Sequence, residues 1–530
     1  MPTLNWIGKD AVVNHHLQVP YHLLKDVPDL SCGDPGSGNL IVQGDNLVAL
    51  KALLPYYAGQ VKCIYIDPPY NTGNENWIYN DNVNSLVIRE WLGKVVGKEG
   101  ETLDRHDRWL CMMYPRLALL RRFLREDGLI FVSIDDNEVA LLKLLMDEIF
   151  GANCYKNTIA VRRGIKSVQA QFADLSALAV GHEYILLYSR NAKCRIPKLN
   201  LTHDAVQPGK WDTFWRGTDR PTMRYEIFDQ KPTSGQWRWE ESRAKKAVKN
   251  YIEYLENHSQ TMSIDEWYLD TLSSTNLKLD FVRKNEEGSI QYYVPPRSGK
   301  LLSDNWMDIL LSGSETSFET EKNTILLQRI ISWITNDKDI ILDSFAGSGT
   351  TGHAVINQNR IDGGSRRFVL VEMEPNVAKE ITAERVRRVA EGYINTKGEK
   401  VEGLGGGFRY CELGEPLFDE SGKIRSSVSF GELARHVYFT ETGEPLPRER
   451  VPNNSFLGEC RGVGIYLLYN GILKDKSANG GNVLTRKVLA GLTPFDGPKV
   501  IYCAGCLLGK DRLRTEHITV RQTPYEIKVS

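Results

Sequence analysis

The chain alternates short apolar runs with longer stretches whose apolar residues recur every three or four positions. Residues 39–43 (NLIVQ) read as a strand, 46–57 (NLVALKALLPYY) as a helix and 61–66 (VKCIYI) as a second strand. Strand, helix and strand within about thirty residues form the βαβ signature of a parallel sheet. From Arg108 to Arg125, Leu110, Met113, Leu117, Leu120 and Leu124 lie on one face of an amphipathic helix that ends at Glu126-Asp127-Gly128. LIFVSI follows as a strand, and Asp135-Asp136-Asn137 can cap the helix EVALLKLLMDEIF. Glu183–Ser189 (EYILLYS) is a further strand.

The rhythm stops near residue 190 and resumes near 316 with helix NTILLQRIISWIT, strand DIILD, helix GTTGHAVINQ, strand RRFVLVE and helix NVAKEITAERVRRVAE. An unlike insert therefore interrupts one α/β fold with a mostly parallel, twisted sheet. The expected division is an extension at 1–38, one half of the sheet at 39–190, the insert at 191–315, the other half at 316–395 and a small α/β region at 396–530, whose role the sequence does not reveal. A glycine-rich linker, KVEGLGGGFRYCELGEP, leads into that last region, where GIYLLYN and KVIYCAG look like strands.

Composition changes this picture in one place. Over the 530 residues the net charge is −1, which gives no general case for a polyanionic partner. Between Arg190 and Asn250, however, 14 Lys and Arg face 7 Asp and Glu, and Trp211, Phe214, Trp215, Tyr225, Phe228, Trp237 and Trp239 are interleaved with them. Arginines can read guanine edges or phosphates, and aromatics can stack or wedge. An ordinary satellite subdomain with a solvated charged face is the other reading. No apolar run reaches the length of a membrane span and the amino terminus has no secretory pattern, so a cytoplasmic protein without a membrane partner is expected. The nine cysteines are odd in number and scattered, and the Cys503/Cys506 pair has no second ligand pair at zinc spacing, so neither a disulfide framework nor a metal site is expected.

Two segments carry candidate chemistry. Residues 66–74, IDPPYNTGN, close a strand with an acid, two prolines and a tyrosine. Prolines and a glycine alone would make a turn, and a capping acid with a packed aromatic would account for Asp67 and Tyr70 structurally. The second segment, Asp343–Thr351 (DSFAGSGTT), lies where a strand gives way to a helix, the usual place for a nucleotide-like ligand at the carboxyl ends of parallel strands. No lysine follows Gly349, so this is not a phosphate-binding P-loop. The run from Gly347 to Gly352, G-S-G-T-T-G, keeps a dinucleotide open as an alternative. Glu372 ends the next strand 23 residues after Gly349, where an acid can accept both hydroxyls of a ribose. A glycine turn and a ribose acid without phosphate ligands suit S-adenosylmethionine.

DPPY combined with FAGSG resembles the amino-methylating DNA methyltransferases, and the order of the two motifs resembles the β class. The flanks VQGDNLVALKAL, GLIFVSIDDNE, GHEYILLYS and FETEKNTILLQRIISW are similar too. DPPYNTGN and SIDDNE look most like modification subunits of Type III restriction systems. The resemblance covers about residues 39–190 and 315–395 and implies a Rossmann-like methyltransferase fold with an inserted target-recognition domain. It implies that Asp67, Pro68, Pro69 and Tyr70 are catalytic and that Asp67, Phe345, Gly347, Ser348, Gly349 and Thr350 line S-adenosylmethionine. By the same resemblance Asp343 lies near the cofactor's amino acid moiety, Glu372 binds its ribose and Asp45 approaches its adenine. Lys322 matches a family lysine ahead of the cofactor loop, although Asn323 and Ser344 stand where proline is frequent. Double-stranded DNA as substrate, a homodimer and a helicase-nuclease restriction partner are also implied.

The chemistry is coherent with those residues. An adenine amine is a weak nucleophile because its lone pair is delocalised. Acceptors such as the Asp67 carboxylate and the Pro68 carbonyl can take its two N–H bonds and free the lone pair for a sulfonium methyl. The base must leave the duplex, and Tyr70 offers the aromatic face that replaces stacking. A sulfonium is already an activated donor and needs no metal. Cytosine N4 methylation, an RNA or protein substrate, or a DNA-binding subunit whose cofactor pocket is regulatory remain as alternatives.

Overall fold

The computed structural model describes residues 4–34, 37–72, 105–164, 178, 180–201, 208–275, 277–296, 300–313, 321–394, 399–446, 454–469 and 481–523. Gly73 and Asn74, at the tail of the first motif, lie outside the described residues. The chain divides into two compact units, residues 1–197 with 304–530, and residues 198–303.

The larger unit is built on one sheet. From one edge its strands run His22–Asp26, Gly407–Pro416, Leu40–Gln43, Arg367–Glu372, Ile340–Asp343, Val61–Ile66, Leu124–Ile134, His182–Ser189, Tyr155–Arg162 and Asn305–Leu310. Every pairing from Gly407–Pro416 across to Leu124–Ile134 is parallel. His182–Ser189 runs against both of its neighbours. All four residues of Ile340–Asp343 and five of the six in Val61–Ile66 are buried. Burial on both faces explains why these strands are continuous apolar runs and not alternating ones.

The order matters more than the strand count. Leu40–Gln43 and Val61–Ile66 are consecutive in sequence, yet Arg367–Glu372 and Ile340–Asp343 lie between them. Ile340, Ile341 and Leu342 pair with Val61, Cys63 and Ile64, so the two candidate motifs leave the sheet from neighbouring strand ends. This is the crevice where open α/β sheets bind ligands.

Helix boundaries follow local chemistry. Asp45 caps helix Asn46–Tyr57 by accepting from the Leu47 and Val48 amides at 2.9 and 3.1 Å. Asn323 caps helix Thr324–Ile334 by accepting from the Ile325 amide, which gives a physical role to the residue standing where proline is frequent. The helix expected over residues 376–391 begins as a π-helical turn, Val377–Ala383, before Glu384–Glu391 continues as α-helix.

The carboxy-terminal boundary differs from the expected one. Gly407–Pro416 is not linker but a strand inside the main sheet, and helix Phe430–Thr442 packs on helix Asn46–Tyr57. Val437, Phe439, Ile465 and Val500 belong to the same hydrophobic core as Leu50 and Leu117. The amino-terminal extension is likewise part of the unit, since His22–Asp26 forms the sheet edge. Beyond them, Phe456–Cys460, Val463–Leu467, Lys499–Cys503 and Ile518–Gln522 form a four-stranded sheet. All nine cysteines are free thiols. Among the described residues no helix is long and apolar enough to cross a membrane.

The smaller unit has a three-stranded sheet of Val282–Lys284, Ile290–Val294 and Lys210–Thr213, a short ladder of Trp215–Arg216 with Gln236–Trp237, and helices Glu241–Asn257 and Ile264–Thr275. Its aromatics serve mainly as core. Phe214, Tyr225 and Trp237 are buried together, with Phe228 and Trp239 packed against them, and Trp211 packs on a second cluster around Trp267 and Phe281. Trp215, 44% exposed, is the exception among the seven aromatics of the basic segment.

Candidate active site

The strand Val61–Ile66 delivers Asp67 to the sheet's carboxyl edge, where the two prolines fix φ and stiffen the turn. Tyr70 donates its hydroxyl to Asp67 Oδ1 at 2.8 Å. Lys322 Nζ is 3.0 Å from the same oxygen, donates to the Tyr70 hydroxyl at 2.8 Å and sits 4.8 Å from the centre of the Tyr70 ring. Glu183 Oε2 lies 3.9 Å from that ammonium. Burial, and then the charges of Asp67 and Glu183, push the Tyr70 phenol well above its ordinary range, so it is a neutral donor. Asp67 is thus gripped through one oxygen, while no described residue bonds Oδ2.

The second motif is arranged differently. Asp343 is buried, accepts from the Phe345 amide at 3.0 Å and from the Thr351 hydroxyl at 2.5 Å, and braces its own turn. Burial pushes its carboxyl up to about 7 against the opposing effect of those two bonds, with the Asp67 charge adding to the rise. Glu372 is fully buried and accepts from the Gly347 amide at 2.8 Å and the Glu374 amide at 3.0 Å. The Thr382 hydroxyl, placed by the π-helical turn, donates to the Gly347 carbonyl at 2.6 Å. Gly349 has φ 76°, and a Cβ there would lie 3.0 Å from the Thr382 carbonyl oxygen, so the glycine is required by packing on that turn as well as by conformation.

The hydroxyls of Ser348 and Thr350 face the protein interior. They bond each other at 3.0 Å and accept from Arg385 Nη1 at 3.1 and 2.9 Å, and Arg385 is also paired with buried Glu321 at 2.9 Å. Phe345 is buried and packs in the main core. Asp45 is partly exposed at the next strand end, with Arg116 Nη2 3.2 Å from its Oδ2. Its neighbour Asn46 donates to the Ser344 carbonyl at 3.3 Å, and the Gly44 amide donates to the Glu372 carbonyl at 2.9 Å. The structure therefore gathers Asp45, Asp343, Phe345, Gly347, Gly349 and Glu372 around one pair of turns, and directs the ammonium of Lys322 at Asp67 and Tyr70.

Thr382, Arg385 and Glu183 were not singled out from the sequence. Arg385 had a signal, because a charge among the buried positions Thr382, Val386 and Val389 of one helix needs partners. Thr382 and Glu183 had none that a local pattern carries.

A sequence family described as DNA methylase matches residues 61–384, more than half of the chain. The chain belongs to the DNA methylase family. Among similar proteins, the chain is 30% identical over 432 residues to the Mod subunit of the Type III restriction-modification enzyme StyLTI of Salmonella typhimurium, covering 73% of this chain and 62% of that one. It is 28% identical over 505 residues to the EcoPI Mod subunit of Escherichia phage P1, covering 83% and 74%, and 29% identical over 432 residues to the EcoP15I Mod subunit of Escherichia coli, covering 70% and 64%. The chain thus spans between 62% and 74% of the length of these relatives.

Proposed function

We propose that this methylase transfers a methyl group from S-adenosylmethionine to the N6 amine of an adenine flipped out of duplex DNA, as the modification component of a restriction-modification system. The observation that carries this reading is the pairing of two motifs on adjacent strand ends: Asp67 with one oxygen held and one open, beside the glycine turn braced by Glu372. The similarity to three proteins named as Mod subunits of Type III restriction-modification enzymes supports the restriction context and a restriction partner.

The residues present suit the cofactor. Asp45, Asp67 and Glu372 cluster here beside Asp343, whose carboxyl is held up to about 7, and the nearby cations Lys322 and Arg116 are already paired with acids. Such a set favours a cationic sulfonium and ammonium over the phosphates of a dinucleotide. The Ser344 hydroxyl is buried without a partner among the described residues, so it is available to a ligand in this turn. When bound, S-adenosylmethionine supplies an electrophilic methyl. Phe345 and the Gly347–Gly349 turn would line it, and Asp45 would approach its adenine. The carboxylates of Glu372 and Asp343 hold the turn's backbone, which limits their direct part to whatever lone pairs those bonds leave.

For the substrate, Asp67 Oδ2 and the Pro68 carbonyl accept the two N–H bonds of the amine, and Tyr70 stacks on the base. Lys322 keeps Asp67 fixed through Oδ1, so the acceptor is preorganised before the base arrives. Target recognition falls to residues 198–303, where Trp215 and Arg216 are exposed. The test is a modified-base map of DNA from cells expressing the intact chain or Asp67→Ala. N6-methyladenine in one sequence context, absent with the variant, is expected. An N4-methylcytosine product would reassign the base, and an unmodified map with folded, cofactor-binding protein would favour a regulatory pocket.

A further inference from the structure

Tyr70 is followed by a residue in a conformation that side-chain-bearing residues rarely adopt. Asn71 has φ 59° and is fully buried. Asparagine tolerates the left-handed region better than most residues, but the conformation still has to be imposed by its surroundings. Two contacts impose it. The Asn71 amide donates to Glu138 Oε1 at 2.5 Å and to the Arg105 carbonyl at 3.3 Å.

Glu138 itself is unusual. It stands at the start of helix Val139–Phe150, where an acid ordinarily caps its own helix, yet its side chain makes no capping bond. Its Oε1 accepts from Asn71 and lies 2.7 Å from His106 Nδ1. Burial pushes the Glu138 carboxyl up, against the opposing bonds from Asn71 and His106. A fully buried acid is costly, and this one is directed at the residue after the catalytic tyrosine. Its Oε2 and the Asn71 side-chain Oδ1 are both buried without a partner among the described residues, so the contact does not arise from simple satisfaction of polar groups.

The other side of Tyr70 is held as well. The Trp109 indole donates to the Pro69 carbonyl at 2.6 Å, and Trp109 is fully buried. His106 and Trp109 are three residues apart and so share a face of helix Arg105–Phe123. One helix face and one buried acid therefore fix the backbone immediately before and immediately after Tyr70. The Trp109 bond occupies one lone pair of the Pro69 carbonyl.

We propose that Asn71, Glu138 and Trp109 are positioning residues that hold the Asp67–Tyr70 loop in its reactive shape, acting on base capture and transfer without touching either substrate. This rests on the methyl-transfer reading above. Displacing reacting groups by about 1 Å can cost about 100-fold in rate, so the frame is expected to appear in transfer and not in cofactor binding.

The test uses the full chain, with duplex DNA carrying its mapped target and a second duplex with 2-aminopurine at the target base. Asn71→Gly keeps the backbone conformation available and deletes the amide contacts. Trp109→Phe keeps an aromatic in the core and deletes the N–H. Each is expected to lower the single-turnover transfer rate by about 10- to 100-fold and to reduce the 2-aminopurine signal, with S-adenosylmethionine affinity within about twofold of the parent. Glu138→Leu should behave likewise, whereas Glu138→Gln, which can keep the Oε1 acceptor, should restore most of the lost rate. Parent-like transfer by both Asn71→Gly and Trp109→Phe would overturn the proposal, as would equal loss of transfer and cofactor affinity in both, which marks a general folding defect. Undiminished transfer by Asp67→Ala would instead overturn the underlying functional reading.

Discussion

The two turns at the heart of the sheet use their side chains in opposite ways. Asp67 presents a carboxylate oxygen that no described residue bonds, and Tyr70 presents an aromatic ring beside it. In the glycine turn, Asp343, Ser348, Thr350 and Glu372 point inward and brace backbone or Arg385. The first turn leaves functional groups open, and the second uses its side chains to hold its backbone. Acids and hydroxyls in such a motif can serve as braces instead of ligand contacts.

The contrast can be broken at several points. The largest effect is expected for Asp67→Asn, which retains size but turns one acceptor into a donor, and should lower transfer about 100- to 1,000-fold at saturating cofactor. Glu372→Ala should do the reverse. Leaving the Gly347 and Glu374 amides unpaired loosens the turn and should weaken S-adenosylmethionine binding about 10- to 100-fold, measured by calorimetry. Unchanged affinity would show that the turn does not need its brace. Tyr70→Ala should weaken capture of a 2-aminopurine target by about 1–3 kcal/mol, and Tyr70→Phe by less, because the ring face remains and what is lost is the hydroxyl with its bonds to Asp67 and Lys322.

A smaller effect concerns pH and stability. Asp343 holds its proton to about 7 when folded, whereas its ordinary value is 3.8. Between those values the folded state binds the proton and the unfolded state does not, so this group's contribution favours folding at low pH and is lost as pH rises from about 4 to about 7. Denaturant midpoints across that window should fall less steeply for Asp343→Asn than for the parent. An identical slope would place the titration elsewhere.

Much of this was legible in the sequence because the central strands are buried on both faces and so appear as unbroken apolar runs. Gly407–Pro416 was missed for the converse reason: glycines open it, Glu412 and Glu415 interrupt it, and it looks like linker. Asp67 and Tyr70 were legible because an acid and an aromatic exceed what a turn needs. The brace of Glu372, the inward hydroxyls of Ser348 and Thr350, and the Lys322 contact to Asp67 depend on partners 25 to 255 residues distant in the chain, which no local pattern encodes. The aromatics of the basic insert looked like a stacking surface, but aromatic side chains also fill small cores, and most of these do.

The most direct test of the division between the turns measures cofactor affinity and single-turnover methyl transfer in one preparation of Asp67→Ala. S-adenosylmethionine binding close to that of the parent, with transfer to target DNA undetectable, is the predicted result. Transfer at the parental rate, or loss of binding in step with loss of transfer, would contradict it.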